Sequence, residues 1–166
     1  MITIKQVPKE QILQLRHDVL RQGKPLDSAN FEEDDRIGTI HLAYFDDDGK
    51  VVGCVTMIVT ADATLETIPQ YRLRGMAVEP KSRNKLVGTA LVKMAEFVAL
   101  NNQVECVWLN ARETAKDFYA KLGYKTVGKP FEIDGVGVHY KMVNYPTEHV
   151  CNHDCGECAQ KGKCQP

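Results

Sequence analysis

The chain has 166 residues and a formal net charge of −1, with 43% hydrophobic and 26% charged residues. These values are typical of one soluble globular domain, and the near-zero charge gives no support for general nucleic-acid binding. The longest apolar runs fall short of the about 20 residues that span a bilayer, and the N-terminal segment lacks the apolar core of a signal peptide. We therefore expect a cytoplasmic protein that partners neither nucleic acid nor membrane.

The first half of the chain predicts four strands and one helix. Apolar and polar residues alternate, or form short apolar runs, in the strands predicted over 2–7, 39–45, 51–59 and 71–78. Residues 8–20 carry apolar side chains at helical spacing and begin with a proline, which suits a first helical turn. An Asp-Asp-Asp-Gly turn joins the second and third strands as a hairpin.

The second half predicts helices and strands in alternation. Helices are expected over 83–100 and 112–122, and strands over 104–109, 124–128 and 136–143. The complete order is β-α-β-β-β-α-β-α-β-β. This order predicts a mixed α/β (α+β) fold, in which helices flank a mixed central sheet of about six or seven strands.

One turn in this pattern has distinctive chemistry. The basic, Gly-containing segment 81–88 follows an apolar strand and leads into a helix. Backbone N–H groups at a helix N-terminus, beside cationic side chains, form a binding position for phosphate or pyrophosphate. The same segment also fits an ordinary surface turn, in which Gly88 only allows close packing of the helix on the sheet.

A second motif lies downstream, where a predicted strand is followed by Ala115, Phe118, Tyr119, Gly123 and Tyr124. These residues resemble the pattern A-x-x-F-Y-x-x-x-G-[FY] that follows a late strand in the GNAT superfamily of N-acetyltransferases. The segment that opens at Arg83 is similar to the superfamily's acyl-CoA signature, [QR]-x-x-G-x-[GA]. The two motifs together cover residues 71–128, and the order of elements extends the resemblance over about residues 1–143.

The resemblance implies a GNAT fold, acetyl-CoA as cosubstrate, and direct attack of an amine on the thioester in a ternary complex. It also implies which residues bind the cofactor: Met76, Ala77, Val78, Arg83, Asn84, Lys85, Leu86, Val87, Gly88, Thr89 and Asn110. Tyr119 matches the superfamily's tyrosine that donates a proton to the departing CoA thiolate. The other interpretation of Tyr119 is an aromatic residue packed on an amphipathic helix.

Leu86 departs from the superfamily pattern, because it stands at the first glycine of the signature. Glycine there permits close approach of the backbone to the phosphates. We expect Leu86 to take a helical conformation with its side chain turned inward. The backbone amides of residues 84–89 would then still bind the pyrophosphate.

The acceptor side of the predicted site is less defined. The candidate general bases, none with a decisive spacing, are Glu66, His41, His139 and the acidic residues 32–35. One subgroup of the superfamily combines an R-L-R-G-M-A-V strand, an L-N-A-R stretch and a histidine in the last strand, and this chain is similar to it. The resemblance places His41 and His139 at the substrate mouth, whereas ordinary structural histidines are the alternative.

Arg72 and Arg74 share one face of a predicted central strand, opposite Leu73 and Gly75. Two arginines on such a face either bind a substrate carboxylate or the cofactor phosphates, or pair with the acidic residues 32–35. The sequence leaves both interpretations open.

The last sixteen residues contain four of the six cysteines. The spacing Cys-x3-Cys-x2-Cys-x5-Cys suits a tetrahedral zinc site, whose predicted ligands are Cys151, Cys155, Cys158 and Cys164. Disulfides and free thiols are the alternatives. Cys54 and Cys106 lie in apolar segments and are expected to be buried small side chains. We therefore predict an acetyltransferase domain over 1–145 and a Cys-rich tail over 146–166.

A second functional class fits the same features. The chain could be a non-catalytic acyl-CoA-binding or metal-responsive module, with Leu86 marking a relaxed cofactor site. The acceptor amine stays open between small metabolites, antibiotics, peptide N-termini and protein lysines. Homodimers are common among proteins that resemble this chain, so the sequence also leaves open whether the protein is a homodimer.

Overall fold

A mixed β-sheet organises the part of the chain that this computed structural model describes, residues 3–147. Its strands are β1 (Thr3–Gln6), β2 (Ile40–Phe45), β3 (Val51–Val59), β4 (Gln70–Val78), β5 (Cys106–Arg112), β6 (Lys125–Thr126), β7 (Phe131–Ile133) and β8 (Gly137–Asn144). The α-helices are α1 (Glu10–Leu20), α2 (Val87–Asn101) and α3 (Lys116–Lys121). The predicted fold class is confirmed.

The sheet order is β1-β2-β3-β4-β5-β8-β6, and β7 pairs with β8. β4 and β5 run parallel, connected through α2, and the other paired strands are antiparallel. The strand β7 was missing from the prediction. Its residues are largely exposed and follow Pro130, so no buried apolar pattern marks them.

The two faces of the sheet carry different helices. Leu91 and Ala95 of α2 pack in one core with Tyr71 and Leu73 of β4. On the opposite face, Ile12 of α1 packs in a second core that includes the buried Cys54. We call these the α2 face and the α1 face of the sheet. Cys106 is buried on the α1 face, so the prediction for both single cysteines is confirmed.

A β-bulge in β4 changes which side chains reach each face. Cys54 pairs with Ala77 and Thr56 pairs with Arg74, so two residues of β4 oppose one residue of β3. Gly75 lies in this bulge with φ +63, and a Cβ there would meet Arg16 and Phe31 atoms at 3.0 Å. The extra residue shifts the alternation by one position. The bulge therefore needs glycine, both for its backbone conformation and for space.

Both later helices begin further along the chain than predicted. The helix expected from residue 83 begins at Val87, after a short 3-10 turn over Pro80–Ser82 and a loop over 83–86. Asn84 and Leu86 in that loop have φ of 61 and 62, which cannot continue a right-handed helix. The helix expected from residue 112 begins at Lys116, after a 3-10 turn.

Candidate active site

The main cleft of the described residues opens where β4 and β5 separate. Their pairing runs from Gln70 opposite Cys106 to Leu73 opposite Leu109, and both strands continue beyond that point. A cleft of about 820 Å³ is lined there by residues of both strands. In open α/β sheets, ligands bind at this position, outside the carboxyl ends of parallel strands.

The N-terminus of α2 forms one end of the cleft, which most residues from 82 to 89 line. The first helical hydrogen bond joins the N–H of Ala90 to the carbonyl oxygen of Leu86 at 2.8 Å. The N–H groups of residues 87–89 precede that bond and have no acceptor within the helix. Together with the helix dipole they create a position for an anion.

Leu86 differs from its predicted conformation. It caps α2 in the left-handed region, at φ 62 and ψ 6, and its side chain is 72% exposed. The prediction of a helical conformation with an inward side chain was therefore wrong. The turn into α2 needs a positive φ at this position, which is the conformation that glycine adopts most readily. Leu86 takes this conformation itself, and the turn directs its side chain outward.

Gly88 allows two helices to approach each other closely. A Cβ at this position would meet the Cζ of Phe118 at 3.2 Å and the Cγ2 of Val78 at 3.8 Å. The ring of Phe118 also packs edge-on against Tyr119, with 4.9 Å between centroids. The absence of a side chain at Gly88 thus lets α3 bring its aromatic residues against the first turn of α2.

Tyr119 lines the cleft from the α3 side. Its side chain is 6% exposed and packs edge-on against both Phe118 and Tyr124. Burial raises the pKa of Tyr119 well above the ordinary value for tyrosine. The hydroxyl therefore keeps its proton at neutral pH and can act as a hydrogen-bond donor toward the cleft.

Asn110 provides an unpartnered polar atom in the same cleft. It lines the cleft from β5, and its Oδ1 is buried without a hydrogen-bond partner among the described residues. A buried amide oxygen of this kind is costly unless a ligand or water supplies a donor. Asn110 is therefore positioned to accept a hydrogen bond from a bound molecule.

The remaining predicted cofactor residues lie in and beside the cleft. Met76, Val78, Arg83 and Asn84 line it, whereas Ala77 is buried in the core on the α1 face. Lys85 is exposed and lies outside the lining. The cleft thus gathers most of the predicted cofactor positions.

The predicted acceptor residues divide into two groups. Arg72, Arg74 and His139 line the cleft, whereas His41 and the exposed Glu66 do not. The ring of His41 is buried, with Nδ1 2.9 Å from Thr56 Oγ1 and Nε2 3.2 Å from the Asp34 carbonyl oxygen. Since both ring nitrogens have partners away from the cleft, we leave His41 out of the site.

His139 has one ring nitrogen fixed by the backbone. Its Nδ1 lies 2.7 Å from the carbonyl oxygen of Gly137, and its ring packs beside Phe131. A carbonyl can only accept, so Nδ1 carries the hydrogen and Nε2 is the basic nitrogen of the neutral ring. The side chain is 5% exposed and lines the cleft opposite Arg112 in the β5–β8 pairing.

Further cleft residues escaped prediction, among them Arg21, Phe31 and Arg112. Arg112 follows Asn110 by two positions on β5, so strand alternation could have placed both on one face. No sequence signal identifies Arg21 or Phe31, because their approach to β4 depends on how the segment after α1 folds back.

No metal-binding group appears within the part of the chain that the structure describes. Residues 3–147 contain no set of three or more His, Cys, Asp or Glu side chains placed to hold a metal ion. The predicted zinc ligands Cys151, Cys155, Cys158 and Cys164, and most of the predicted tail, lie outside the described residues. The zinc site stays a prediction from the sequence. Across residues 3–147, no helix has both the length and the apolar character needed to cross a membrane.

Comparison with known proteins identifies the family of this fold and cleft. A family model described as "Acetyltransferase (GNAT) domain" matches residues 36–126, more than half of the chain. The "Uncharacterized N-acetyltransferase YitI" of Bacillus subtilis (strain 168) is 35% identical over 142 residues, covering 86% of this chain and 95% of the relative. The fold and these matches define an acetyltransferase. The chain belongs to the GNAT family.

Solved structures show the same fold at lower identity. An aminoglycoside 6'-N-acetyltransferase complexed with coenzyme A superposes with a TM-score of 0.70 at 20% identity, over 87% of this chain and 97% of that one. Escherichia coli ElaA superposes with a TM-score of 0.70 at 20% identity, over 87% of this chain and 99% of that one.

Proposed function

We propose that the cleft between β4 and β5 transfers the acetyl group of acetyl-CoA to an amine by direct attack, with Tyr119 as the proton donor. The observation that carries this proposal is a convergence at one cleft. Residues 87–89, with their free N–H groups, and the protonated Tyr119 line the same cleft, which opens where β4 and β5 separate. A phosphate-binding position serves the cofactor and a proton donor serves the leaving group of such a transfer.

The residues present fit acetyl-CoA. The N–H groups of residues 87–89 and the cationic Arg83 suit its pyrophosphate, and the unpartnered Oδ1 of Asn110 suits an amide N–H of its pantetheine arm. Beyond Leu73, the described partner of β4 is β3, so the other backbone edge of β4 borders the cleft. When bound, acetyl-CoA supplies the acetyl group as an activated thioester.

The contribution of Tyr119 is moderate on physical grounds. A thiol has a pKa of about 8.5, so a thiolate leaves without full protonation near neutral pH. Burial holds the pKa of Tyr119 far above that value, so complete proton transfer to sulfur is uphill. Tyr119 therefore acts chiefly by hydrogen-bond donation to the developing thiolate.

His139 is the proposed acceptor of the amine proton. An amine must be neutral to attack a carbonyl carbon, and the Nε2 of His139 is the unprotonated nitrogen once Nδ1 donates to Gly137. His139 lines the cleft from β8, whereas Tyr119 lines it from α3. The two groups thus approach the cleft from different elements, which suits a base for the amine and a donor for the leaving group.

Replacement of Tyr119 by phenylalanine tests the proposal. We expect Tyr119→Phe to lower kcat about 10- to 100-fold, the effect of one lost hydrogen bond to a developing charge, and to leave the acetyl-CoA dissociation constant unchanged. Steady-state kinetics with an amine found by an acetylation screen gives kcat, and calorimetry gives the dissociation constant. Tyr44→Phe is the matched control, because Tyr44 lies on β2 outside the cleft.

An unchanged kcat in Tyr119→Phe would remove Tyr119 from the mechanism. Binding of acetyl-CoA with no turnover across a broad amine panel would favour a non-catalytic acyl-CoA-binding module instead.

A further inference from the structure

The charges in the cleft are strongly one-sided. Among residues 3–147, the lining includes Arg21, Arg72, Arg74, Arg83 and Arg112 and no aspartate or glutamate. A low-dielectric cleft with charges of one sign focuses its field on the space within and attracts ions of the opposite sign. Positive charge therefore extends through the cleft beyond the anion-binding turn at α2, and this additional space also suits an anionic ligand.

Arg83 belongs to the phosphate-binding turn, whereas the arginines of the strands lie on a different face of the sheet from that turn. Tyr71 and Leu73 point to the α2 face, so Arg72 and Arg74 point to the α1 face. Contacts agree with this assignment. Arg74 stacks on Phe31, which follows α1, and Arg72 stacks on Trp108, whose core cluster lies on the α1 face.

Arg112 belongs to the same face. It occupies the register of Trp108 and Asn110 on β5, and His139 lies directly across from it on β8. Burial is the main cause of the lowered pKa of Arg21, and the positive charges of Arg112 and Arg74 lower it further. Arg21 therefore lies close enough to Arg112 and Arg74 to be repelled by both.

Nearby carboxylates neutralise only part of this charge. Glu33 pairs with Arg74, and Asp62 pairs with Lys141. Arg72 has no ion-pair partner among the described residues, and its Nε is buried without a hydrogen bond. Arg112 likewise has no ion pair among residues 3–147, and Arg21 has a hydrogen bond to the carbonyl oxygen of Ser28 at 3.3 Å and a stacking contact with Phe31. These three guanidinium groups thus have no ion-pair partner among the described residues.

We propose that the acceptor amine itself carries an oxyanion, a carboxylate or a phosphate, which Arg72 and Arg112 bind on the α1 face of the cleft. This inference rests on the proposed function. A guanidinium binds either oxyanion through paired hydrogen bonds and keeps its charge in a half-buried position. Anchoring the oxyanion beside His139 brings the amine of the same molecule to the proposed base.

Polycationic acceptors suit this cleft poorly. Aminoglycosides carry several amines that are protonated at neutral pH, and the described lining offers them arginines without a free carboxylate. The similarity to an aminoglycoside acetyltransferase is therefore a similarity of fold, and on this inference the acceptor belongs to a different chemical class.

Matched acceptor pairs test the inference directly. The pairs are an L-amino acid with its primary amide and phosphoethanolamine with ethanolamine, measured as kcat/KM with saturating acetyl-CoA. We expect at least one anionic member to exceed its neutral partner by about tenfold or more, the effect of a charge-assisted hydrogen bond. Loss of the anion lowers the pKa of the amine and makes more of it reactive, so amine reactivity cannot create this preference.

Arginine variants assign the preference to the α1 face. Arg72→Gln and Arg112→Gln should each reduce it by about tenfold, mainly through the anionic member. Arg36→Gln removes the same charge from an exposed position outside the cleft lining and should leave the preference unchanged. Arg112 is exposed, so its variant tests the inference even where Arg72→Gln fails to fold.

Each possible result of these measurements either supports or overturns the inference. Equal rates within both pairs, turnover of neutral or cationic amines alone, or a preference that survives both variants would overturn the inference. If acetyl-CoA binds in calorimetry under any of these outcomes, the proposed cofactor site stands and only the acceptor class is wrong. If acetyl-CoA does not bind at millimolar concentration, the proposed function fails and the inference fails with it.

Discussion

Two arginines on the same side of the sheet have opposite surroundings. Arg16 of α1 is fully buried and donates to the Ala29 carbonyl oxygen, to Asp34 Oδ2 at 2.6 Å and to Thr56 Oγ1 at 2.6 Å. Arg72 of β4 is half-buried, stacks on Trp108 and has no carboxylate partner among the described residues. The first guanidinium is part of the fold, whereas the second is available to a ligand.

The difference shows how the protein uses charge on either side of Phe31. Arg16 and Arg74 both stack on this ring, at 4.4 and 4.3 Å from its centroid. On the Arg16 side the chain supplies the Asp34 carboxylate and acceptors for both terminal nitrogens, so burial of the charge is tolerated although Nε has no partner among the described residues. On the cleft side, Glu33 pairs with Arg74, and the other arginines of the lining have no ion pair among the described residues. Their positive charge therefore faces the cleft.

Removal of Arg16 should have the largest effect on stability. Arg16→Met keeps the apolar volume but leaves the buried Asp34 carboxylate without its cation, which costs about 3–5 kcal/mol of unfolding free energy. Urea unfolding followed by circular dichroism measures this loss.

The same substitution at Arg72 is the matched control. Arg72→Met removes a stacking contact worth about 1 kcal/mol, and the relief of repulsion from Arg74 is offset by the lost attraction to Glu33 and Asp62, so stability should change by about 1 kcal/mol or less. Equal losses in the two variants would contradict the division between a structural arginine and a ligand-binding one.

A smaller effect is expected from His41, which lies in the Arg16 network. Burial, partly offset by the hydrogen bond to the Asp34 carbonyl oxygen, lowers the pKa of His41 below its unfolded value of about 6.5. The unfolded chain therefore takes up this proton first as pH falls, and stability is lost from about pH 6.5 downward. We expect His41→Asn to lose less stability than the wild type between pH 7.5 and pH 5.5.

Urea unfolding at the two pH values measures this difference. The raised pKa of His17 acts in the opposite direction and is present in both proteins, so it cancels in the comparison. A loss in His41→Asn that equals or exceeds that of the wild type would show that His41 does not report on the network.

The sequence predicted the fold and the position of the cleft, because both follow from local patterns. Alternation in 71–78 placed Arg72 and Arg74 on one strand face, and the downstream motif led to Tyr119, which lines the cleft. The conformation of Leu86 was not predictable in this way, since a positive φ at leucine breaks the local preference. Departures from local conformational preference are expected at functional sites, and the turn at Leu86 is proposed to be one.

The acceptor side depended on contacts between distant segments. His41 and His139 were equivalent candidates in the sequence, yet one joins Thr56 and Asp34 while the other lines the cleft. Phe31 and Glu32–Asp35 fold back onto β4, and this determines that only one of the two histidines lines the cleft. No local sequence pattern predicts the fold-back. The sequence left open whether Arg72 and Arg74 pair with the acidic residues 32–35, and the fold divides them, because Glu33 pairs with Arg74 whereas Arg72 has no ion pair among the described residues.

The most direct test of this division of the cleft is a crystal structure of the protein with coenzyme A. The account predicts the pyrophosphate at the backbone N–H groups of residues 87–89, Asn110 hydrogen-bonded to the pantetheine arm, and no cofactor contact to Arg21, Arg72 or Arg112. A phosphate of coenzyme A bound by any of these three arginines would contradict it, because the cofactor and not the acceptor would then be their counterion.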